Sequence, residues 1–352
     1  MNLSFEEKRN IKSILIFTCF TTIGAIINAL VEHGFNWYPI INEFFIGLLF
    51  GLFTSIFEIY FIDKRLRRVQ FSKAIIIRTL FYVGVCAVII IAVAASRVGH
   101  EAEIDYVDAF GHEDLISYIS SSEFFEILIY SVVLSFFANF VRQVNRLLGQ
   151  NVLWNYVRGK YQLPLEEDLI FMFLDLKSST TIAEKIGLEK NHEFLNDFFH
   201  DMTDPILECK GKIYQYVGDE IVITWQLKDG VKDLNCVNCF FNIQNAILKK
   251  KEIYLDKYSV YPEFKAGVHF GKVITGEMGD IKKDIVYHGD TVNTSARIQS
   301  ECNTYGKIFL ISKVLLDKLD LKNKYKSESM GNILLRGKEV ELELFSIAEI
   351  NK

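Results

Sequence analysis

Apolar residues in the first part of the chain form four long runs with few charges. The runs cover about residues 11–30, 38–62, 74–95 and 124–141. Each is close to the roughly 20 residues that a helix needs to cross about 30 Å of hydrocarbon. The first run is too long for a cleaved signal peptide, and no small-residue cleavage site follows it before the second run. The pattern therefore predicts a transmembrane domain of four helices over residues 1–141.

Charges between the runs predict how these helices are oriented. The connection after the second run is basic, and the connection between the third and fourth runs is acidic, with Arg97 as its one Lys or Arg residue. Basic connections stay on the cytoplasmic side. We therefore expect a multi-pass protein of the cell (inner) membrane, embedded in lipid, with both termini in the cytoplasm. The basic residues are Lys64, Arg65, Arg67, Arg68 and Lys73, and the acidic residues are Glu101, Glu103, Asp105, Asp108, Glu113 and Asp114.

Two charged residues lie inside the apolar runs, each about one turn from a cytoplasmic end. Helices that run in opposite directions would bring Glu58 and Arg78 to a similar depth. The two side chains could form an ion pair within the membrane, or each could reach the interface along its own stem. The sequence leaves both alternatives open.

Residues 142–164 are expected to form a connecting helix and a linker. Apolar positions recur there at spacings of three and four, over about two heptads. This seam predicts a helix that pairs with a second copy of the chain, although a surface helix packed on its own domain has the same pattern. Gly159 and Pro164 end the pattern. The seam consists of Val141, Val144, Leu148, Val152 and Tyr156.

Residues 165–352 alternate between strand and helix patterns. Strands are predicted at 170–174, 212–217, 221–225, 264–269 and 308–311 and within 332–347, with a hairpin through 271–279. Helices are predicted from about residue 178, over 189–208 and 234–250, and after residue 290. This order favours an α+β domain with a mainly antiparallel sheet and helices on one face.

Composition narrows the classes of function. A chain of 352 residues has room for about two domains. Its net charge of −5 argues against a nucleic-acid partner, because nucleic-acid-binding proteins usually carry a basic surface. The six cysteines are scattered and form no disulfide framework. Cys236 and Cys239 make a single C-x-x-C pair, which is more typical of two small helix residues than of a metal or redox site.

Three short motifs carry the candidate chemistry. Phe-Leu-Asp175-Leu-Lys-Ser-Ser-Thr lies at the end of a predicted strand, and Tyr-Val-Gly-Asp219-Glu lies in a predicted hairpin turn. Gly-Asp-Thr-Val-Asn293-Thr-Ser-Ala-Arg297 opens a helix, so its amide and guanidinium share one face. Together the motifs resemble the class III nucleotidyl cyclases in order and spacing, over roughly the last 190 residues.

The resemblance implies a ferredoxin-like palm fold and a specific reaction. In that reaction, the ribose 3′-hydroxyl of a nucleoside triphosphate attacks the α-phosphorus and pyrophosphate leaves. The resemblance implies two divalent cations per site, Mg²⁺ or Mn²⁺, held by Asp175, Asp219 and the backbone carbonyl of Leu176. Asn293 would orient the ribose, and Arg297 would stabilise the pentavalent phosphorus. In this family the aspartates and the Asn–Arg pair come from different subunits, which implies an obligate homodimer.

Two further segments match places where the family binds the triphosphate. Ser178, Ser179 and Thr180 lie at a helix N-terminus, whose free N–H groups suit phosphate, although such residues could cap a helix in any protein. Arg336 stands where the family has a phosphate-binding lysine, and Lys338 is an alternative cation. A charged surface strand would have the same composition.

The base-recognition positions depart from the family pattern. Gln215 stands where many adenylyl cyclases have a lysine, and Val286 stands where they have an aspartate or threonine. Because glutamine can donate to or accept from any base, the substrate stays open, with ATP favoured over GTP or another triphosphate. Two other functions remain: a diguanylate-type cyclase on a related palm, and a catalytically silent membrane receptor or dimerisation module. The intact motifs favour the nucleotidyl cyclase.

The charges of the two connections yield a topological prediction. A reporter fused after residue 68 should be cytoplasmic, and one inserted near Asp108 should lie outside, because basic connections stay inside. Alkaline phosphatase and green fluorescent protein fusions at both positions measure this. Phosphatase activity from the fusion after residue 68 would contradict the orientation.

Overall fold

The computed structural model describes residues 5–66, 69–149, 152–321 and 324–350. Arg67 and Arg68, which contributed to the predicted orientation, lie outside the described residues. By their internal contacts, the residues divide into two compact units, Met1–Leu148 and Gly149–Lys352.

Four long helices dominate the first unit: α1 (Phe5–His33), α2 (Trp37–Phe57), α4 (Phe71–Glu101) and α7 (Ser122–Leu148). A π-helical turn (Glu58–Ile62) joins α2 to the short α3 (Asp63–Leu66), and α5 (Tyr106–Ala109) and α6 (Glu113–Ile119) lie between α4 and α7. Among the described residues, four helices are long and apolar enough to cross a membrane. Each predicted apolar run is therefore found as a helix.

Glu58 and Arg78 form an ion pair, the first of the two alternatives that the sequence leaves open. Arg78 Nε lies 2.9 Å from Glu58 Oε1, and the side chains are only 1% and 3% exposed. The same carboxylate accepts from Tyr82 at 3.0 Å and from Arg142 at 2.8 Å. Because a buried charge needs partners, this cluster holds the π-helical turn, α4 and α7 together.

The prediction of one continuous connecting helix is wrong. α7 ends at Leu148, and Gly149 has φ +95°, a left-handed conformation that ends a helix. A separate short helix, α8 (Val152–Val157), follows. Val141, Val144 and Leu148 of the predicted seam therefore belong to α7, and Val152 and Tyr156 belong to α8.

An eight-stranded sheet forms the centre of the second unit, within its described residues. The strand order is β2-β3-β1-β4-β6-β8-β7, and β5 pairs with β4. All these pairs are antiparallel except the parallel pair of β4 and β6. The predicted α+β class with a mainly antiparallel sheet is confirmed. The strands are β1 (Leu165–Leu176), β2 (Lys212–Val217), β3 (Glu220–Gln226), β4 (Phe264–Met278), β5 (Asp284–His288), β6 (Phe309–Ser312), β7 (Tyr325–Ile333) and β8 (Leu342–Glu349).

Helices cover both faces of this sheet, so the prediction of helices on one face is wrong. On one face, Phe194 and Phe198 of α10 and Phe240 of α12 join the largest apolar core. On the other face, Val292 and Ala296 of α14 pack against residues of β1. The helices of this unit are α9 (Ser179–Ile186), α10 (Leu188–Glu208), α11 (Leu227–Val231), α12 (Asn235–Lys249), α13 (Lys251–Tyr258), α14 (Asp290–Thr304) and α15 (Lys313–Leu316), with a 3₁₀ turn at Lys232–Leu234.

Two glycines of β4 allow α14 to lie close to the sheet. A Cβ atom on Gly267 would lie 2.1 Å from the backbone nitrogen of Gln299, and one on Gly271 would lie 2.5 Å from Thr291 Oγ1. The hairpin predicted through 271–279 lies later in the chain, because β4 runs unbroken to Met278 and pairs with β5 after a turn that begins at Gly279. Gly271 therefore serves a close approach between elements rather than a turn.

Candidate active site

Two adjacent strands bring the aspartates of the first two motifs together. Asp175, near the end of β1, is the direct cross-strand partner of Glu220, the first residue of β3. Asp219 lies in the tight turn before Glu220, where Gly218 has φ +64° and supplies the left-handed conformation. Burial and then the neighbouring charge of Asp219 raise the pKa of Asp175 above its ordinary value. The structure thus places the two predicted metal-binding carboxylates side by side.

Sequence reasoning missed two residues that contact Asp175. Lys265 of β4 is only 7% exposed, and its Nζ lies 3.3 Å from Asp175 Oδ2. The amide Nε2 of Gln299 donates to the same oxygen at 2.9 Å. A lysine within an apolar strand was a signal that could have revealed Lys265, because a buried cation needs an anionic partner.

Glu220 adds a third carboxylate to this group. Burial and then the charges of Asp175 and Asp219 raise the pKa of Glu220 to about 7. Like charges at short range disfavour the ionised forms of Asp175 and Glu220. The site therefore concentrates negative potential, which favours the binding of cations.

The residues predicted to bind phosphate at α9 lie directly after β1. Ser178 occupies the N-cap position, but its φ of +56° is left-handed, and its side chain accepts no capping hydrogen bond. The Ser178 side chain therefore does not cap α9, which was the alternative to its predicted role in binding phosphate. Ser179 and Thr180 belong to the first turn, whose N–H groups lack intrahelical partners and suit an anion.

The residues of the third motif meet the C-terminal basic segment. Asn293 is exposed on α14, and Arg297 is half-buried. A Cβ atom on Gly337 would lie 3.5 Å from Arg297 Nη2, so the segment around Gly337 lies against the guanidinium. Lys338 forms an ion pair with Asp290 at the start of α14, and this contact lowers the pKa of Asp290.

Arg336, which directly precedes Gly337, is exposed. The predicted phosphate-binding cations Arg336 and Lys338 therefore lie in the same short segment, next to Arg297.

The positions predicted to recognise the base lie on β2 and β5. Gln215 is exposed on the edge strand, and Val286 is half-buried opposite Gly276. Their sequence neighbours Tyr214 and Tyr287 are in contact, with ring centroids 4.7 Å apart. The two strands therefore bring these positions into one region.

The carboxylate group fits a metal that is shared with substrate. Among the described residues, no group of three or more His, Cys, Asp or Glu side chains could hold a metal ion by itself. Mg²⁺ typically takes one or two carboxylates and completes its shell with water and substrate phosphates. Asp175 and Asp219 are a pair of hard oxygen donors of this kind, and Leu176 follows Asp175 at the end of β1.

Comparison with known proteins agrees with this geometry. The profile of the family described as adenylate and guanylate cyclase catalytic domain matches residues 163–348. Adenylate cyclase 2 of Rhizobium meliloti (strain 1021) is 35% identical over 221 residues, which cover 63% of this chain and 61% of that protein. Adenylate cyclase 1 of the same strain is 24% identical over 190 residues, or 52% of this chain and 28% of that protein.

A solved structure of a bacterial light-regulated adenylyl cyclase has the same fold. Its TM-score is 0.56 at 17% identity, over 65% of this chain and 66% of that chain. Since the matched domain covers more than half of the chain, the protein belongs to the family of adenylate and guanylate cyclase catalytic domains. The predicted class III resemblance and palm fold are confirmed. The chain spans less than two thirds of the length of these two relatives.

The raised pKa of Glu220 yields a prediction about pH. At pH values between the ordinary glutamate pKa and about 7, the folded protein binds more protons than the unfolded chain. The contribution of Glu220 to the free energy of unfolding therefore falls as the pH rises through this range. In chelator, Glu220→Gln should therefore raise the Tm at about pH 8, and the gain should shrink towards about pH 5. Thermal unfolding of the full-length protein measures both values.

Glu184→Gln, an exposed position on α9, is the matched control. A Tm gain that does not depend on pH, or a loss at about pH 8, would contradict the electrostatic assignment of Glu220.

Proposed function

We propose that this protein is a membrane-bound nucleotidyl cyclase that converts ATP to its 3′,5′-cyclic monophosphate and pyrophosphate. The observation that carries the proposal is the side-by-side placement of Asp175 and Asp219 within a cyclase family domain. The third motif is also intact at Asn293 and Arg297, which favours an enzyme over a silent receptor.

Asp175 and Asp219 would hold two divalent cations, Mg²⁺ or Mn²⁺, with the carbonyl of Leu176 as a further donor. When bound, these cations would acidify the attacking 3′-hydroxyl and offset the charge on the transferring phosphoryl group. Lys265, the buried cation beside Asp175, would offset charge on the same side of the triphosphate.

The triphosphate would extend between two cationic regions. Ser178 and the first turn of α9, with Ser179 and Thr180, offer N–H groups and the positive end of the helix dipole. Arg336 and Lys338 would bind the terminal phosphates from the other side. Asn293 would orient the ribose, and Arg297 would stabilise the pentavalent phosphorus through its planar, permanently charged guanidinium.

Each active site would be shared between two chains of an obligate homodimer. Gln299 of α14 contacts Asp175 of its own chain. Arg297 lies two residues earlier, which is about 200° around a helix of 3.6 residues per turn. This separation supports a role for Arg297 at a site other than that formed by its own Asp175.

ATP is the proposed substrate because the two bacterial relatives described above are named adenylate cyclases. Gln215 and Val286 replace the usual base-recognition pair, and because a glutamine amide can pair with any base, GTP or another triphosphate is the alternative substrate. The four apolar helices would anchor the enzyme in the cell membrane, with both termini and the catalytic unit in the cytoplasm.

Assay of the full-length protein in lipid nanodiscs tests the function. With Mg²⁺ or Mn²⁺, the protein should form the cyclic monophosphate from ATP faster than from GTP. Asp219→Ala should lower kcat more than about 100-fold, since loss of even an outer partner of a metal ligand costs about 10- to 100-fold.

Asp256→Ala, at an exposed position on α13, is the control and should retain wild-type activity. Absence of any cyclic monophosphate would favour the silent receptor. A cyclic dinucleotide formed from GTP would identify a diguanylate-type cyclase, and faster conversion of GTP to the monophosphate would overturn the choice of ATP.

A further inference from the structure

Gln299 is a buried residue that has no role in the proposed chemistry, yet it contacts Asp175. Its Nε2 donates to Asp175 Oδ2 at 2.9 Å across 124 positions of sequence. The residue is only 5% exposed. We infer that Gln299 is a positioning residue, which fixes the orientation of the Asp175 carboxylate for metal binding. This inference rests on the proposed function, because it assigns Asp175 to a metal.

The backbone of Gln299 is held tightly against the strand next to Asp175. Gly267 of β4 is the cross-strand partner of Phe173, two residues before Asp175. A Cβ atom on Gly267 would lie 2.1 Å from Gln299 N and 2.5 Å from Gln299 Cα. Since the two backbones touch, the amide of Gln299 reaches Asp175 from a fixed point rather than from a mobile helix.

The chemistry of an amide suits this position. Lys265 already supplies a positive charge to Asp175 Oδ2, and a second permanent cation there would compete with a metal for the same carboxylate. The amide of Gln299 is neutral at every pH and donates directionally. It can therefore orient the carboxylate without neutralising it. Outer hydrogen bonds of this kind are known to set the geometry of metal-binding carboxylates.

α14 would thereby connect the two active sites of the proposed dimer. One side of the helix carries Gln299 to the Asp175 of its own chain, and another carries Arg297 toward the partner's site. Because α14 packs against β4 and β1 along this stretch, it would act as a rigid element. The orientation of Asp175 and the placement of Arg297 would then depend on one helix.

Replacement of the amide by an apolar group of similar size tests the inference. We would measure Mn²⁺ binding to the full-length protein by electron paramagnetic resonance, with adenosine 5′-(α,β-methylene)triphosphate, which cannot cyclise. Gln299→Met should weaken Mn²⁺ binding about 10- to 100-fold, because the carboxylate loses its oriented donor. The readout is a dissociation constant and does not require turnover.

Gln226→Met is the matched control, because Gln226 also donates its amide to a carboxylate, Glu167 Oε1, at 3.0 Å. It should bind Mn²⁺ like the wild type. Wild-type affinity in Gln299→Met, or an equal loss in Gln226→Met, would overturn the inference. If Gln299→Met does not fold, Gln299→Asn decides: its shorter amide should weaken Mn²⁺ binding several-fold, and unchanged affinity would overturn the inference.

The same measurements separate this inference from the proposed function. If the wild type binds Mn²⁺ but forms no cyclic nucleotide, the proposed function fails, and the variants still decide the role of Gln299. If the wild type is active and Gln299→Met matches its Mn²⁺ affinity, only the inference about Gln299 fails.

Discussion

Repulsion among three carboxylates at one end of the β1–β3 pair is the constraint on which the rest of the site depends. The register of this pair is strongly fixed, since β1 is buried on both faces between residues 169 and 174, and a slip by one residue would exchange those faces. Asp175 therefore stays beside Glu220 and Asp219 despite the cost, which appears as a raised pKa at Asp175 and at Glu220. Lys265 and Gln299 offset this cost, and bound cations would offset it further in the proposed enzyme.

The second constraint is the close packing of α14 on the opposite face of the sheet from α10 and α12. Gly267 and Gly271 remove the side chains that would otherwise hold α14 away from β4. The helix consequently reaches Asp175 with Gln299, while Arg297 lies beside the segment around Gly337. The close fit of α14 against β4 thus sets the distances between the polar and charged groups of the site.

The local parts of this arrangement could be predicted from sequence, and the parts that depend on distant contacts could not. Asp219 was placed in its turn because alternating apolar residues and a glycine mark a hairpin within a few residues. Gln299 and Lys265 were missed because their partner lies 124 and 90 positions away, and no local pattern records such a contact. Gly271 suggested a turn because close approach and chain reversal both require glycine. Gly149 likewise ended a helix that the apolar spacing alone continued.

In the proposed enzyme two chains together complete each active site, and complementation between inactive variants tests this arrangement most directly. The Asp175→Ala chain and the Arg297→Ala chain should each be inactive alone. The two chains would be co-expressed, and the cyclic monophosphate formed from ATP would be measured. Under random pairing about half of the dimers are mixed, and each mixed dimer has one intact site of two, so activity should return to roughly a quarter of wild type. Cross-linking of differently tagged chains would show that mixed dimers form. If they form and activity does not return, the shared site is contradicted.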